Sequence, residues 1–175
     1  MSHPADPPPM EDPQLLEQVT VRSAGPDDIS RLDSYIQPFV DEGRLLPRTP
    51  DELIELVRHG FVAERAGALV GFAALEVYSR KLGEIRSLAV IPELRGRGIG
   101  RLLVEACVQR ASDLHVLEVM AITSSDEFFR SCGFDFTLPG EKKALFLQTR
   151  ENPHHPVPPA GDGPSSARDA GSSAS

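Results

Sequence analysis

The stretch that decides the fold reads Ile91-Pro92-Glu93-Leu94-Arg95-Gly96-Arg97-Gly98-Ile99-Gly100. It follows an apolar run, Leu88-Ala89-Val90, and leads into a helical pattern that begins near Ile99. Three glycines alternate in this stretch, and the missing Cβ atoms let the backbone approach a ligand closely. The amide groups that enter the next helix then converge as donors to an anion. We therefore interpret the loop as a cradle for a pyrophosphate.

Two other phosphate-binding loops fit these residues less well. A Walker loop ends in Gly-Lys-Ser/Thr, whereas Arg101-Leu102 follows the last glycine of this loop. The dinucleotide fingerprint G-x-G-x-x-G is not matched in order. The glycine spacing alone is a weak signal, but it gains weight from the preceding strand pattern, Pro92, the arginines and the helix that follows.

The same residues carry a family resemblance. Arg95, Gly98 and Gly100 satisfy the signature Arg/Gln-x-x-Gly-x-Gly/Ala of the GNAT superfamily of acetyl-coenzyme A dependent N-acetyltransferases, which the chain resembles over residues 19–149. This resemblance implies an α/β fold with a mixed, mostly antiparallel central sheet flanked by helices. It also implies a parallel pair of strands that splay apart, with coenzyme A bound in the opening.

The residue pattern agrees with alternating strands and helices. Thr49 and Glu52 form a capping box for one helix, and Arg65-Ala66-Gly67-Ala68 reads as a hairpin turn. A strand, a helix and a strand between Glu84 and Thr123 predict two parallel strands. The predicted strands span residues 19–22, 61–64, 69–78, 84–90 and 116–123, and Phe134–Phe136 and Lys143–Leu147 are expected to complete the sheet. The predicted helices begin near Pro26, Pro50, Ile99 and Asp126.

Composition limits the class of protein. The 175 residues carry a formal net charge of −8, which disfavours nucleic acid and anionic membranes as partners. No apolar run approaches the roughly 20 residues of a membrane helix, and the amino terminus lacks the pattern of a secretory signal. We therefore expect a cytoplasmic protein with a disordered segment at 1–18, an acetyltransferase domain at 19–150 and a disordered Pro/Gly/Ser/Ala-rich tail at 151–175.

The cysteines and histidines predict no metal site. Cys107 and Cys132 lack the spacing of a metal or redox motif, so reduced thiols are expected. His59 and His115 do not cluster with acids or cysteines, which favours surface histidines over metal ligands.

The GNAT resemblance implies roles for backbone groups around the loop. The amide of Leu88 would polarise the thioester carbonyl, the amide of Val90 would pair with the pantetheine arm, and the backbone from Arg95 to Arg101 would hold the pyrophosphate. The cofactor-binding residues implied in this way are Leu88, Ala89, Val90, Arg95, Gly96, Arg97, Gly98, Ile99, Gly100 and Arg101.

Glu84 is the candidate general base. Several members of the superfamily carry a glutamate at this strand position, where it accepts the amine proton. An exposed carboxylate at a strand end remains the alternative. The general acid stays open, because Phe128-Phe129 stands where many members have a tyrosine, and Tyr78 is better explained by packing or substrate contact.

A closer resemblance concerns the acceptor. Segments 46–53, 83–90 and 122–134 are similar to the acetyltransferase domain of N-acetylglutamate synthase, particularly its short bacterial form. This implies the α-amine of L-glutamate as acceptor, in the first step of arginine biosynthesis, with Arg48, Arg86 and Thr123 in the acceptor site. Arginine is suited to binding carboxylates through two parallel hydrogen bonds. Alternatively, Arg86 is ion-paired with Glu84 or Glu76 and Arg48 is a solvated loop residue.

Other functions remain open from the sequence. The acceptor could be another amine, such as a protein amino terminus, a lysine or an antibiotic, although cationic acceptors would favour an acidic cleft. A noncatalytic module that senses acyl-coenzyme A would keep the cradle and lose the chemistry. The expected partner is an amino acid as small-molecule acceptor, and a homodimer is one candidate assembly.

Overall fold

The computed structural model describes residues 13–137. The predicted strand at Lys143–Leu147 and the predicted tail at 151–175 lie outside these residues. The helices are α1 (Pro13–Leu16), α2 (Ile29–Asp41), α3 (Pro50–Arg58), α4 (Ile99–Asp113) and α5 (Asp126–Ser131), and the strands are β1 (Val19–Ser23), β2 (Gly60–Arg65), β3 (Ala68–Val77), β4 (Leu82–Val90) and β5 (Glu118–Ala121). Two 3₁₀ turns, Pro26–Asp28 and Pro92–Leu94, precede α2 and the glycine loop.

Five strands form one sheet in the order β1-β2-β3-β4-β5. The pairings β1-β2, β2-β3 and β3-β4 are antiparallel, and β4 and β5 are parallel, as the strand-helix-strand pattern predicts. The mixed α/β fold is therefore confirmed. The predicted hairpin turn is also present, because Ala66 and Gly67 both have positive φ angles, 49° and 77°. Such a turn matches the right-handed twist of the two strands it joins.

The parallel strands pair over only part of their length. Their register runs from Leu82 opposite Glu118 to Ile85 opposite Ala121. Residues 86–90 of β4 continue beyond the last pair, so an opening forms between β4 and the segment that follows β5. This separation is the splayed pair that the GNAT resemblance implies.

Helices cover both faces of the sheet. Helix α4 packs on one face, where Leu103 and Cys107 are fully buried, and α2 and α3 pack on the other through Leu32 and Leu53. Strand β3 lies between these layers, so all of its residues from Val70 to Leu75 are buried. A Cβ on Gly71 would lie 2.8 Å from Leu103 Cδ1, which shows how closely α4 approaches the sheet.

The structured domain begins earlier than residue 19. Helix α1 ends in Leu16, and the side chain of Leu15 is only 7% exposed in the core beside α4. The predicted disorder was therefore wrong for residues 13–18. A four-residue helix has too little periodicity to be recognised from sequence, and its stability comes from the burial of a leucine against distant residues.

Two other predicted elements differ from the structure. Strand β5 is four residues long, shorter than the predicted 116–123, because Val116 belongs to the turn after α4. Phe134–Phe136 do not form a strand. Phe134 instead packs edge to face against Phe129, with ring centroids 5.3 Å apart, so its apolar character serves a helix contact.

Candidate active site

A cavity of about 650 Å³ lies where β4 and β5 separate. Its walls come from the second half of β4, the glycine loop, the start of α4, residues 122–125 after β5, and α5. The end of α2 and the loop after it, including Phe39 and Arg44, close another side. A cavity of this size between splayed strands can hold an elongated cosubstrate.

The glycine loop has the backbone conformation that the sequence predicts. Gly96 and Gly98 have φ angles of 72° and 96°, in the left-handed region that side-chain-bearing residues rarely adopt. Gly98 is the N-cap of α4 and supplies no side-chain cap, so the first amides of this 15-residue helix face outward without a side-chain partner at the cap. A Cβ on Gly100 would lie 3.2 Å from the Phe128 ring. The loop therefore brings bare backbone to the cavity wall.

Arg95 links this loop to β4 and α2. Its Nε donates a hydrogen bond of 3.0 Å to the carbonyl of Val90, and its guanidinium lies 5.8 Å from the ring centre of Phe39. Its Nη2 is buried and has no hydrogen-bond partner within residues 13–137. A buried donor without a partner is costly, and an anion in the cavity could satisfy it.

The predicted cofactor-binding residues divide into two groups. Arg97 and Ile99 do not line the cavity, and the side chain of Ile99 is buried in the core under α4. Arg101 lines it and also donates from Nη1 to the carbonyl of Ser131, at 2.8 Å, which ties α4 to α5. The predicted residues in the cavity wall are Leu88, Ala89, Val90, Arg95, Gly96, Gly98, Gly100 and Arg101.

Strand β4 carries a bulge inside the cavity. Its register with β3 shifts between Phe72, opposite Ala89, and Ala74, opposite Arg86, so Ser87 and Leu88 together face Ala73. Ser87 has a φ of 57°, a left-handed conformation that is unfavourable for a residue other than glycine. A bulge leaves one residue outside the ladder and turns its groups in a new direction. No glycine or proline among residues 86–89 signals this feature.

Glu84 is buried, with 8% of its surface exposed. The hydroxyl of Tyr78 donates a hydrogen bond of 2.5 Å to Glu84 Oε2. Burial and this hydrogen bond raise the pKa of Tyr78 to about 12. The alternative of an exposed carboxylate at a strand end is therefore wrong. Tyr78, for which the sequence favoured packing or substrate contact, contacts the candidate base.

Arg86 is paired across the sheet. Its Nη1 donates to Glu76 Oε2, as one of the alternatives from sequence proposed. Burial alone would lower the pKa of Arg86, but the hydrogen bond to Glu76 and the charges of Glu76 and Glu84 together raise it. Part of the positive charge of Arg86 is therefore already balanced by Glu76.

Arg48 lies near the same charges. Its side chain is 12% exposed, so the alternative of a solvated loop residue is wrong. Burial and the positive charge of Arg86 lower the pKa of Arg48, whereas Glu52, Glu76 and Glu84 oppose that change. Its nearest carboxylate is Glu52, 3.8 Å away, and its Nε is buried with no hydrogen-bond partner in the described part of the chain.

Thr123 lies on the opposite side of the cavity from β4. It is exposed, lines the cavity and accepts a hydrogen bond of 2.9 Å from the amide of Ser125 through its Oγ1. Glu84, Arg48 and Arg86 are not part of this cavity wall. Together with Tyr78 and Glu76, these three residues form a cluster beside the cavity, around the first half of β4. We call it the acid-arginine cluster: Tyr78, Glu84, Glu76, Arg86 and Arg48.

The structure adds contacts that sequence reasoning missed. Besides Tyr78, these are Phe39 under the Arg95 guanidinium and Tyr35, whose hydroxyl donates to the Ala89 carbonyl at 3.2 Å. Both aromatic residues belong to the apolar stripe of α2, where core packing is the ordinary expectation. Among residues 13–137 no group of three potential metal ligands occurs, and none of the helices there could cross a membrane.

Comparison with known proteins matches these features. A model of the protein family described as "Acetyltransferase (GNAT) family" matches residues 30–134. An uncharacterized N-acetyltransferase, CT2212, from Chlorobaculum tepidum is 40% identical over 114 residues, which are 65% of this chain and 74% of that protein. An amino-acid acetyltransferase from Mycobacterium tuberculosis is 36% identical over 117 residues, 65% of this chain and 67% of that protein.

A solved structure is also similar. It is N-acetylglutamate synthase from Neisseria gonorrhoeae complexed with coenzyme A and N-acetyl-glutamate, with a TM-score of 0.59 and 30% identity. The similarity covers 65% of this chain but only 27% of that protein, so this chain corresponds to about a quarter of the synthase. The match of residues 30–134 spans more than half of the chain and includes the glycine loop, the splayed strands and Glu84, and the chain belongs to the GNAT family of acetyltransferases.

Proposed function

We propose that this acetyltransferase moves the acetyl group of acetyl-coenzyme A to the α-amine of L-glutamate, the first step of arginine biosynthesis. The observation that carries the proposal is the acid-arginine cluster. A buried carboxylate that can take a proton, Glu84, lies in it with two arginines that can bind carboxylates, Arg48 and Arg86. A cationic acceptor would be repelled by these arginines, whereas an acidic amino acid would be attracted.

The chain uses acetyl-coenzyme A as its acetyl donor, and the cavity wall offers the groups to bind it. The outward amides at the start of α4 and the unpartnered Nη2 of Arg95 suit the pyrophosphate. The bulge at Ser87 and Leu88 turns a strand amide out of the ladder, which supports the amide of Leu88 as the donor to the thioester carbonyl. The amide of Val90 is proposed to pair with the pantetheine arm.

Glu84 is the proposed general base. The amine nitrogen attacks the thioester carbon, the new C–N bond forms, and the C–S bond breaks. Glu84 accepts the proton that the amine loses, directly or through one water, and the departing thiolate takes a proton from solvent. Only one carboxylate oxygen of Glu84, Oε2, accepts a hydrogen bond from a residue within 13–137, which leaves Oε1 for the amine.

The two arginines are unequal as carboxylate ligands. Arg86 is already bound to Glu76, whereas Arg48 keeps a buried Nε that has no partner within the described residues. A carboxylate of the acceptor would satisfy this donor and form a charge-assisted hydrogen bond. We therefore propose Arg48 as the main carboxylate ligand and Arg86 as a weaker one, with Thr123 in contact with the acceptor from the other side.

Names of relatives support an amino-acid acceptor. The M. tuberculosis relative is called an amino-acid acetyltransferase, and the solved N. gonorrhoeae synthase carries N-acetyl-glutamate beside coenzyme A. A cytoplasmic location and a homodimeric assembly remain proposals from the sequence. The proposed domain limits, 13–150, extend the sequence prediction at its amino-terminal end only.

A screen of acceptors tests this function. The purified chain is given acetyl-coenzyme A with each common amino acid and with cationic amines, and release of the free thiol is followed with a thiol-reactive dye. We expect glutamate to give the highest kcat/KM, with glutamine and aspartate poorer. If a cationic amine reacts far better, the glutamate assignment is wrong. Tight binding of acetyl-coenzyme A without transfer to any amine would instead indicate a noncatalytic module.

A further inference from the structure

Two carboxylate side chains are buried among residues 13–137: those of Asp28 and Glu84. They are compensated in different ways. Asp28 accepts hydrogen bonds from both Nη atoms of Arg22, at 2.7 and 2.8 Å, and from the amide of Gly25 at 2.9 Å. This network lowers the pKa of Asp28 and ties β1 to the turn before α2. Asp28 is thus a structural carboxylate with its charge neutralised.

Glu84 has a neutral donor instead. Its hydrogen-bond partner in the described part of the chain is the Tyr78 phenol, and no guanidinium or ammonium lies within 4 Å of it there. The charged groups around it are Glu76 on β3, Arg86 on β4 and Arg48 before α3. A guanidinium bound directly to Glu84 would compete with an incoming amine for the carboxylate. A phenol can fix the carboxylate without that competition.

Tyr78 is itself held in place by the turn between β3 and β4. Its amide donates to the carbonyl of Leu82 at 3.1 Å, and Ser79 Oγ accepts from the amide of Lys81 at 3.1 Å. The carbonyls of Arg80 and Lys81 in turn accept hydrogen bonds from the amides of Leu117 and Glu118. The hydroxyl is therefore presented to Glu84 from a turn that is fastened to both neighbouring strands.

Tyr78 also connects Glu84 to solvent. It is 48% exposed, whereas Glu84 is 8% exposed. A proton taken up by Glu84 has to leave before the next turnover. The proton arrives on Oε1, so the carboxyl group first rotates and brings this O–H to the phenol oxygen. The phenol then passes its own proton to water as it takes up the carboxyl proton, so one proton enters and one leaves without forming a tyrosinate.

We infer that Tyr78 is a positioning residue for Glu84, which aims Oε1 at the acceptor amine and, once the protonated carboxyl has rotated, passes the proton of that carboxyl to solvent. The inference rests on the proposed role of Glu84 as base and does not depend on which amine is the acceptor. Because Tyr78 acts through Glu84, its removal should change kcat and the pH profile and leave the binding of acetyl-coenzyme A unchanged.

The test compares Tyr78→Phe, Glu84→Gln and the double variant, each with the best acceptor from the screen. We expect Tyr78→Phe to lower kcat roughly tenfold, the loss of one hydrogen bond to a charged group, with an unchanged KM for acetyl-coenzyme A. The acidic limb of its kcat/KM profile should move to higher pH, because the ionised carboxylate has lost a donor. In the Glu84→Gln background, the second substitution should cost little more.

Three outcomes would overturn the inference. One is a Tyr78→Phe enzyme with the wild-type kcat and pH profile. Another is an equal loss with and without Glu84, since Tyr78 would then act independently of it. The third concerns the hydrogen bond between Tyr78 and Glu84. In a Tyr35→Phe background Tyr78 is the remaining tyrosine, and its ionisation is titrated by absorbance with and without Glu84→Gln. If Glu84→Gln does not lower the midpoint of this titration, the two side chains are not hydrogen-bonded. Thermal unfolding of each variant checks that the fold is kept.

An acceptor other than glutamate would overturn only the proposed substrate and leave this inference standing. Absence of turnover with every amine would overturn both.

Discussion

Arg86 and Glu76 form an ion pair across the hairpin between β3 and β4, with Arg86 opposite Ala74 and Glu76 opposite Glu84 in the register. Glu76 therefore balances part of the positive charge of Arg86. It also places a second carboxylate next to Glu84. The charge of the acid-arginine cluster is thus a balance of two arginines against two glutamates, and single substitutions should change it in predictable directions.

Arg48→Ala should raise the KM for glutamate by at least about tenfold, because a charge-assisted partner contributes roughly 1.5 to 3 kcal/mol. Arg86→Ala should raise it by a smaller factor, because Arg86 is already paired with Glu76. The KM for acetyl-coenzyme A should change little. Glu76→Gln should act in the opposite direction and lower the KM for glutamate by about threefold, since it removes a half-buried competitor for Arg86. Steady-state kinetics with both substrates measures these effects.

A suitable control for the arginine variants is Arg58→Ala. Arg58 is 64% exposed and pairs with Glu55 on the surface of α3, away from the cluster. If Arg58→Ala raises the KM for glutamate as much as Arg48→Ala, the arginines act through net charge and not through contact.

Gly98→Asp or Gly100→Glu should abolish binding of acetyl-coenzyme A. The φ of 96° at Gly98 is unfavourable for a residue with a side chain. An aspartate there would also place a negative charge at the start of α4, where the negatively charged pyrophosphate is proposed to bind. At Gly100 a Cβ would press on the Phe128 ring, 3.2 Å away. Isothermal titration calorimetry measures the affinity directly.

The variant Gly67→Asp is a control that introduces backbone strain at a glycine outside the proposed pyrophosphate-binding loop. Gly67 has a φ of 77° in the turn between β2 and β3, with no atom within 4 Å of an added Cβ. This variant should lose about as much stability as Gly98→Asp and keep its affinity. Unchanged affinity in the Gly98 and Gly100 variants would show that the loop does not bind the pyrophosphate.

Glu84→Gln should lower kcat near neutral pH by roughly a hundredfold, the lower end of what a general base contributes. Affinity for acetyl-coenzyme A should be nearly unchanged. Activity should recover in part at high pH, where more of the amine is already neutral. The control is Glu118→Gln on the adjacent strand β5, where the carboxylate is exposed. A wild-type pH profile for Glu84→Gln would exclude it as the base.

The two tyrosines should ionise at a higher pH in the folded protein than in the unfolded chain. Burial and the hydrogen bond to Glu84 raise the pKa of Tyr78 to about 12, and burial raises that of Tyr35 as well. An unfolded tyrosine has a pKa of about 10, so the folded state holds these protons more tightly. Their contribution to stability is complete below about pH 10 and is lost as the pH rises through the folded pKa.

Absorbance of tyrosinate in native and denatured protein measures this difference. The denatured chain should titrate near the ordinary tyrosine value and the folded chain at higher pH. Coincident curves would mean that neither hydroxyl is held as the structure describes.

The sequence alone determined the features that depend on neighbouring residues. The glycine loop, the cap of α3 at Thr49 and the turn at Ala66-Gly67 are local backbone choices, and their residue types are those that such conformations require. The parallel pairing of β4 and β5 followed as well, because a helix between two strands carries the chain back to the edge of the sheet where the first strand began. Glu84, Arg48 and Arg86 were found through a family resemblance carried by short segments.

Only the tertiary structure decided how these residues are paired. The register of β3 on β4 places Glu76 opposite Glu84, so Arg86 on β4 meets Glu76 diagonally and Tyr78, two residues after Glu76, meets Glu84 diagonally. That register includes a bulge which no local residue signals. Leu15 likewise joins the core only through contacts with residues far away in sequence. Side-chain partners of this kind depend on long-range packing, in which the free energy of burial selects one register among several that the local pattern would allow.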